Sequence, residues 1–442
     1  APSLVGSEMC IRDRFLTLFF LLNINSNSQI VSDTWENCSK YLGNISRDLS
    51  SSNITTTPEN WLTYWNQVTP SNAGKWGFIE GQRDVMRWDG LDKAYQLAKD
   101  NGLKFKQHTL IWGNQQPAWM DNLSAEEQLE EIEEWISEFC KRYPDTDQID
   151  VVNEARANKP DGGKKQDGSY RANYIDALGG LGDTGVDWVI KAFELARKHC
   201  PNAELILNDY GILNSQGNRN EHIAIANILK NKDLIDAIGV QGHSFTIEKM
   251  TPNQMKFSLD QLGATDLPIY ISELDIDAEG TNAENTQLTR YQNLFPVMWE
   301  HPDVAGITLW GYVKDHMWRE TAYLVHGENI GANERPAMEW IKAYVNKSNS
   351  GCDNTGPILS FEVENLEFGI YPNPVKRGSK INIVSTQDVK SIHIVSKDGR
   401  VVYAKKLGDS VSDIKIDLQE GLYIIEAHKK DGMKLYKKLL VR

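Results

Sequence analysis

Short apolar runs of β-strand character recur along the chain, and stretches with a helical repeat of apolar positions separate most of them. Eight runs have strand length and are rich in β-branched and aromatic residues: Tyr41–Ser46, Leu62–Val68, Lys104–Trp112, Gln148–Asn153, Ala203–Asn208, Asp236–His243, Pro268–Ser272 and Gly306–Tyr312. The helical repeat is clearest in Leu91–Lys99, Ala125–Arg142, Val186–His199 and Glu221–Leu229. Eight strands alternating with helices predict an α/β fold in which parallel strands close into a (β/α)8 TIM barrel.

An open, doubly wound sheet is the alternative arrangement of alternating strands and helices. Such sheets carry a Gly-x-Gly-x-x-Gly turn after the first strand when they bind a dinucleotide. No such turn follows Tyr41–Ser46, so the sequence favours the barrel.

The pattern changes after Val345. The segment 346–356 is polar and is typical of a linker, and short alternating runs follow from Phe368: Lys380–Val384, Ser391–Val395, Val401–Lys405, Ser412–Asp417, Gly421–Ala427 and Lys434–Val441. Turn residues separate these runs, which predicts a small all-β sandwich of antiparallel strands. The expected domains are therefore a barrel over 30–345, a linker over 346–367 and a sandwich over 368–442.

Charge divides the chain in the same place. Residues 368–442 hold 15 Lys and Arg against 8 Asp and Glu, whereas the remaining residues hold 32 against 53. Such an asymmetry supports two modules, and the acidic main body argues against nucleic acid as a partner. No apolar stretch approaches the roughly 20 residues of a membrane span.

The N-terminal residues predict processing rather than structure. Residues 1–14 resemble a translated sequencing adapter, and Phe15–Leu22 has the apolar character of a truncated signal peptide, expected over 15–29. A buried N-terminal strand is the alternative for this segment. Export is compatible with cysteine pairing: Cys140 with Cys200 and Cys38 with Cys352 are the proposed pairs, and four free thiols are equally open.

Two predicted strands lead directly into glutamates, Glu154 and Glu273. A carboxylate at the C-terminal end of a barrel strand is placed where barrel enzymes carry out their chemistry. Two carboxyl groups together are what glycoside hydrolysis requires, one as acid and one as nucleophile (~5–5.5 Å apart) or as base for water (~6.5–9.5 Å). A single glutamate at such a position is more often a solvated loop residue, so the neighbouring motifs carry the argument.

Those motifs resemble family 10 glycoside hydrolases, the retaining endo-β-1,4-xylanases, over about residues 40–345. The matching segments are Val151-Val-Asn-Glu-Ala155, Ile271-Ser-Glu-Leu-Asp275, Asn66-Gln-Val-Thr-Pro70, Lys75-Trp76, His108-Thr-Leu-Ile-Trp112, Gln115, Asn208-Asp-Tyr210, Gln241-Gly-His243 and Thr308-Leu-Trp-Gly311. The resemblance implies a secreted xylan hydrolase with no metal and no cofactor.

The resemblance also implies roles for individual residues. Glu154 matches the general acid/base and Glu273 the nucleophile. Asn153 matches the amide that binds the sugar 2-hydroxyl, and His243 and Asp275 match a relay that orients the nucleophile. The residues that match sugar-binding positions are Asn72, Lys75, His108, Trp112, Gln115, Tyr210, Gln241, Trp310 and Trp318.

Two positions depart from the family pattern. Ser71 stands where Thr-Pro-Glu-Asn motifs have a sugar-contacting glutamate, and Gly113 stands where many members have a second histidine. Both are expected to affect the sugar-binding side more than the chemistry. The chain has 13 tryptophans, and core packing and sugar stacking are equally open as their main use.

The C-terminal module resembles the sorting domain of the type IX secretion system of Bacteroidetes. The residues that carry this resemblance are Tyr371-Pro-Asn-Pro374, Lys397-Asp-Gly-Arg400 and Gly421-Leu-Tyr-Ile-Ile425. A carbohydrate-binding module is the alternative, but it usually exposes tryptophans and none follows Trp340. The sequence therefore predicts a monomeric xylanase that is extracellular or attached to the bacterial surface. The open alternatives are a related hydrolase of another β-1,4-glycan or of xylo-oligosaccharides, and a non-catalytic xylan-binding protein.

Overall fold

The computed structural model describes residues 40–46, 61–165, 168–327, 334–349, 368–371, 375–385, 389–396, 399–406, 412–430 and 434–441. Residues 1–29, the pairing of Cys38 with Cys352 and most of the predicted linker lie outside these ranges. The chain divides into two compact units at 353/354.

The first unit is a closed barrel of eight parallel strands, as the sequence predicted. The strands are β1 Tyr41–Ser46, β2 Gln67–Pro70, β3 Lys104–Ile111, β4 Gln148–Asn153, β5 Glu204–Asp209, β6 Ala237–Gly242, β7 Ile269–Leu274 and β8 Val304–Leu309. They pair in sequence order, and β8 pairs with β1 through the register Gly306 to Tyr41. The carboxyl ends of all eight strands therefore meet at one face of the barrel.

Helices separate the strands and cover the barrel. They are α1 Trp76–Ile79, α2 Asp89–Asp100, α3 Ala125–Arg142, α4 Asp187–His199, α5 Gln216–Lys230, α6 Ser244–Ile247, α7 Pro252–Gly263, α8 Ala283–Glu300 and α9 Pro336–Asn349. Helix α3 begins where predicted because Ser124 and Glu127 form a capping box that satisfies two free backbone N–H groups. In the described part of the chain, no helix combines the length and apolar character that crossing a bilayer requires.

The predicted strand Leu62–Val68 is wrong in its first half. Trp65 donates its backbone N–H to the Trp61 carbonyl at 2.9 Å, which is the bond of a helical turn. The aromatic run is strand-like in composition, but Trp61, Tyr64 and Trp65 are all buried. Tertiary packing thus outweighs the local preference, and β2 begins only at Gln67.

Smaller differences affect other element ends. The predicted strand Gly306–Tyr312 starts two residues late and runs three too far, because β8 ends at Leu309. The first predicted linker residues belong to α9, which extends to Asn349. Strand β7 extends to Leu274, so Glu273 lies within the strand rather than after it.

A disulfide joins Cys140, near the end of α3, to Cys200, directly after α4. This is one of the two proposed pairs, and it links neighbouring helices of the barrel wall.

Most tryptophans are used for packing. Trp76 and Trp135 stack with ring centroids 6.0 Å apart, and both are fully buried. Among the described tryptophans, Trp318 alone is strongly exposed, at 61%. Core packing is therefore the main use of tryptophan, and Trp318 is the exception.

The second unit consists of two antiparallel sheets, which confirms the predicted sandwich. One sheet has the order β13-β10-β9 and the other β12-β11-β14-β15. Their strands are β9 Phe368–Tyr371, β10 Lys380–Ser385, β11 Val389–Ser396, β12 Val401–Lys406, β13 Ser412–Lys415, β14 Gly421–Lys429 and β15 Lys434–Val441. A core that includes Ile381, Ile392, Ile414 and Ile425 joins the two sheets. Strand β9 was not predicted.

Candidate active site

Glu154 directly follows β4 and is fixed by its own backbone. Its φ of 58° lies in the left-handed region, which is uncommon for a residue other than glycine. Its N–H donates to the Asn208 carbonyl at 2.8 Å, and its carbonyl accepts from the N–H groups of Ala157 and Asn158. The backbone therefore turns sharply at the strand end and holds this carboxyl group at the top of the barrel.

Among the described residues, the side chains that donate hydrogen bonds to the Glu154 carboxyl group are all neutral. Trp112 Nε1 and Asn158 Nδ2 donate to Oε2 at 2.9 and 2.6 Å, and Gln241 Nε2 donates to Oε1 at 3.1 Å. Burial raises the pKa of Glu154, the negative charge of Glu273 raises it further, and the three donors act in the opposite direction. The result is a carboxyl group that holds its proton more tightly than an exposed glutamate does.

Glu273, by contrast, has charged groups as well as a neutral amide around it. Asn208 Nδ2 donates to its Oε1 at 2.8 Å, and His243 Nε2 lies 3.1 Å from its Oε2. The other ring nitrogen of His243 lies 2.5 Å from Asp275 Oδ2. Asp275 is itself held by the backbone N–H of Ser244 at 2.8 Å. Glu273, His243 and Asp275 thus form a buried hydrogen-bonded series.

A second buried charge cluster lies on neighbouring strands β3 and β4. Asp150 Oδ2 is 3.2 Å from Lys106 Nζ and 2.9 Å from His108 Nδ1. All three side chains are at most 2% exposed. Because so little water screens it, this cluster acts on nearby titratable groups.

The two clusters set the protonation of Glu273 and His243. Burial alone would raise the pKa of Glu273, but the charge of His108, the hydrogen bond and charge of His243, and the charge of Lys106 lower it to about 2. Burial alone would lower the pKa of His243, but its bonds to Asp275 and Glu273 raise it to about 9. At neutral pH, Glu273 is therefore ionised and His243 is protonated.

Three amide side chains connect the two glutamates. Asn153 Oδ1 accepts from Asn208 Nδ2 at 2.9 Å and from Gln241 Nε2 at 3.2 Å. The same two nitrogens donate to Glu273 and Glu154, respectively. With its oxygen occupied twice, and with no acceptor for its NH₂ group among the described residues, Asn153 can donate to another partner.

The polar residues predicted to bind sugar near β2 and β3 lie together. Gln115 Nε2 donates to Asn72 Oδ1 at 3.2 Å, and Lys75 Nζ lies 5.6 Å from the centre of the Trp112 ring. Because the Trp112 indole N–H donates to Glu154, this tryptophan belongs to the surroundings of that carboxyl group as well.

Aromatic rings gather around His243. Trp318 contacts His243 edge-on at 4.8 Å, Trp310 at 6.2 Å, and Phe245 stacks on it at 5.5 Å between ring centres. Trp318 and Phe245 are exposed, and they offer apolar faces beside Glu273.

Tyr210, after β5, lies beside Arg156, whose guanidinium is 5.8 Å from the ring centre. A cavity of about 350 Å³ lies between the segment that follows β5 and the helices α6 and α7, lined by residues that include Asn214, Phe245, Gln254 and Phe257.

The sequence predicted that Gly113 affects mainly the sugar-binding side, but the structure also places it close to the surroundings of Glu154. Its N–H donates to the Asn158 carbonyl at 2.8 Å, and a Cβ added there would lie 2.3 Å from the same oxygen. Since the Asn158 side chain donates to Glu154, Gly113 is connected to this carboxyl group through Asn158. Only glycine leaves room for this approach of the two loops.

Several residues of the site were missed as functional candidates. Lys106 and Asp150 could have been suspected, because charged residues inside apolar strand runs are rarely buried without a partner. Asp209 is also buried, and its burial raises its pKa to about 7 against the lowering effect of Arg156. Asn158 lies in a loop without periodic pattern and left no signal in the sequence.

A parallel barrel whose cleft holds two buried glutamates with opposite pKa shifts is typical of glycoside hydrolases. Comparison with known proteins gives the family: residues 31–344 match the family model "Glycosyl hydrolase family 10". The chain belongs to this family. Residues 369–442 match the model "Secretion system C-terminal sorting domain", which confirms the type IX sorting domain and indicates a bacterial protein that is secreted or held at the cell surface.

Similar proteins have been named as xylanases. Endo-1,4-beta-xylanase B of Cellvibrio japonicus (strain Ueda107) is 42% identical over 300 residues, which are 67% of this chain and 46% of that protein. Endo-1,4-beta-xylanase A of Caldicellulosiruptor saccharolyticus is 28% identical over 279 residues, 59% of this chain and 78% of that protein. This chain thus spans just under half the length of the Cellvibrio relative.

A solved structure agrees with the fold. Native xylanase 10B from Thermotoga maritima superimposes with a TM-score of 0.60 at 25% sequence identity, covering 71% of this chain and 97% of that one.

Proposed function

We propose that the protein is an endo-acting xylanase that cleaves β-1,4-xylosidic bonds of xylan with retention of anomeric configuration. The opposite pKa shifts of Glu154 and Glu273 carry this proposal, because double displacement needs one protonated and one ionised carboxyl group at the same time. The names of the relatives support xylan as the substrate.

In the first step, Glu273 attacks the anomeric carbon while the bond to the leaving oxygen breaks. Glu154 gives its proton to that oxygen, so the leaving sugar departs as a neutral alcohol. A covalent ester between Glu273 and the sugar results. The negative charge of Glu273, which helped to raise the pKa of Glu154, is then lost, so the pKa of Glu154 falls. After giving up its proton, Glu154 is a carboxylate that can later act as a base.

In the second step, water attacks the anomeric carbon and passes a proton to Glu154. The ester bond breaks, Glu273 leaves as a carboxylate, and the starting protonation states return. The positive groups around Glu273 stabilise it as the leaving group. Asn153, with its NH₂ group left to donate, is proposed to bind the 2-hydroxyl of the sugar under attack.

The sugar-binding surfaces follow from the two sides of the cleft. Asn72, Lys75, His108, Trp112 and Gln115 are assigned to the sugar units on the non-reducing side, with Trp310 and Trp318 stacking at the reacting sugar. Tyr210 is assigned to the leaving-group side, and Gln241 positions Glu154 and Asn153. The cavity beside Phe245 offers aromatic faces and amide groups to further sugar units on that side.

The proposal is tested by reducing-sugar release from xylan and from cellulose, with NMR of the first product's anomer. We expect release from xylan, a β-anomer as first product, and loss of activity in Glu273→Ala. An inverted product would exclude double displacement, and release only from cellulose or only from short xylo-oligosaccharides would change the substrate. Binding to xylan without any release would leave the non-catalytic alternative. We also propose a monomer, which light scattering in solution checks.

A further inference from the structure

Strands β11 and β14 of the C-terminal unit bring two histidines and a glutamate together on the face opposite its core. His393 pairs with Glu426 across the two strands, and His428 follows Glu426 by two residues. Directly opposite residues, and residues two apart on one strand, project from the same face of a sheet. The intervening Ile392 and Ala427 are fully buried, so the three polar side chains point outward.

The three side chains are close enough to share one ligand. His428 Nε2 lies 3.1 Å from Glu426 Oε2, and the rings of His393 and His428 have their centres 4.3 Å apart. One ligand atom from each residue lies within 4.8 Å of the other two. Zinc bonds of about 2.0–2.2 Å to nitrogen and oxygen place tetrahedral ligand atoms roughly 3.3 Å apart. The pair His428 and Glu426 already meets this spacing, and His393 lies close enough to reach the same ion.

A hydrogen-bonded surface pair explains part of this arrangement but not all of it. His428 and Glu426 would be stable as such a pair, as His326 and Glu284 are on the barrel at 3.1 Å. Among the residues that the structure describes, none forms a hydrogen bond with the ring of His393, which instead contacts a second imidazole. A single bound cation would account for two adjoining imidazoles beside a carboxylate.

We propose that His393, Glu426 and His428 form a binding site for a divalent transition-metal ion of the zinc type. Imidazole nitrogens favour zinc, copper and nickel over calcium and magnesium, which prefer sets of oxygen ligands. Three protein ligands leave a fourth position to water. Because 34 residues lie between His393 and His428, a search of the sequence for closely spaced histidines would miss this site.

Lys434 allows a test of the direction in which metal affinity should change. Its Nζ lies 3.4 Å from Glu426 Oε2, and Lys434 is opposite His428 on the adjoining strand β15. The ammonium group competes with a metal ion for the carboxylate and repels it. Removing this charge is therefore expected to strengthen metal binding, whereas removing either histidine is expected to weaken it.

A bound ion would connect the two central strands of the larger sheet, since β11 and β14 are neighbours in it. An ion that binds the folded state and not the unfolded one stabilises it in proportion to the logarithm of its concentration. Zinc is thus expected to raise the melting temperature of the sorting domain in the full chain.

The experiment is a calorimetric titration of Zn²⁺ into the full, chelator-treated chain. We expect one ion at this site, with affinity reduced more than about tenfold in His393→Asn and in His428→Asn and increased in Lys434→Gln. His326→Asn is the matched control, because it removes a surface histidine that pairs with a glutamate without a second imidazole nearby; it should bind zinc as the wild type does.

Three results would overturn the proposal: no zinc binding by the wild type, unchanged affinity in both variants of the site, or an equal loss in His326→Asn. Circular dichroism and the melting transition of the sorting domain show whether the variants fold. If a histidine variant does not fold, Lys434→Gln decides: a gain in affinity supports the site and an unchanged affinity contradicts it.

Discussion

The surroundings of Glu154 and Glu273 differ in electrical character although the two side chains share one cleft. Glu154 accepts hydrogen bonds from an indole and two amides, none of which carries charge. Glu273 faces His243 directly and feels the charges of His108 and Lys106. Both carboxyl groups are buried, so burial alone would raise both pKa values. The difference shows that charge placement, rather than access to water, separates an acid from a nucleophile here.

The largest expected effect comes from removing each glutamate and comparing leaving groups. Glu273→Ala should lower the rate of xylan hydrolysis by roughly 10⁴-fold or more, because no other group can form the covalent intermediate. It should be as damaging with an aryl xyloside. Glu154→Ala should lower xylan hydrolysis by about 10²–10⁴-fold but should affect formation of the intermediate from an aryl xyloside much less, since a phenolate leaves without a proton.

Steady-state and burst kinetics on both substrates measure this difference. If Glu154→Ala and Glu273→Ala respond identically to the leaving group, the two roles are not divided as proposed.

The charge around Glu273 is tested by His243→Asn. Removing the imidazolium raises the pKa of Glu273 from about 2, because one of the groups that lower it is lost. Glu273 reacts as a carboxylate, so kcat/KM should begin to fall at a higher pH as the solution is acidified. The acidic limb of the pH profile therefore moves upward while the alkaline limb, which reports Glu154, is less affected.

His301→Asn is a suitable control for that measurement. His301 is also buried and lies 3.2 Å from the carboxylate of Asp260, but it lies between the end of α8 and the start of β8, at the opposite end of the barrel strands from Glu273. An acidic limb that stays in place in His243→Asn, or moves equally in His301→Asn, would contradict the electrostatic account.

The sequence predicted part of each half of this comparison. It missed Lys106 and Asp150 near Glu273, and it missed Asn158 beside Glu154. Glu154, Glu273, His243 and Asp275 follow from strand ends and family motifs, and β4 was predicted to the residue because its buried apolar run is bounded by polar residues. Leu62–Val68 was partly wrong because an aromatic run packs equally well as a helical turn. Loop residues that approach a site only through the tertiary fold have no such periodic pattern, and Asn158 is the clearest example.

Asn158→Ala tests the neutral half. It removes a hydrogen bond at 2.6 Å to the Glu154 carboxylate, and this bond lowers the pKa of Glu154. The pKa should therefore rise, and because Glu154 must be protonated to act as acid, the alkaline limb of kcat/KM should move to higher pH. Asn101→Ala, which removes an asparagine side chain that donates to the Leu97 carbonyl of α2, should leave the profile unchanged. A downward shift in Asn158→Ala would contradict the assignment.

The smallest expected effect on the pH profile belongs to Gly113→Ala. The added Cβ would lie 2.3 Å from the Asn158 carbonyl oxygen and 2.6 Å from that of Lys159, so the loop must move away. The hydrogen bond from Asn158 to Glu154 is then weakened. The alkaline limb should therefore move to higher pH, as in Asn158→Ala, but by a smaller amount. Combining both substitutions distinguishes this route from general damage to the fold: if Gly113 acts through Asn158, Gly113→Ala should shift the limb no further in the Asn158→Ala background. An additive shift would mean that Gly113 influences Glu154 by a separate path, and the neutral surroundings of the acid would then extend beyond its three donors.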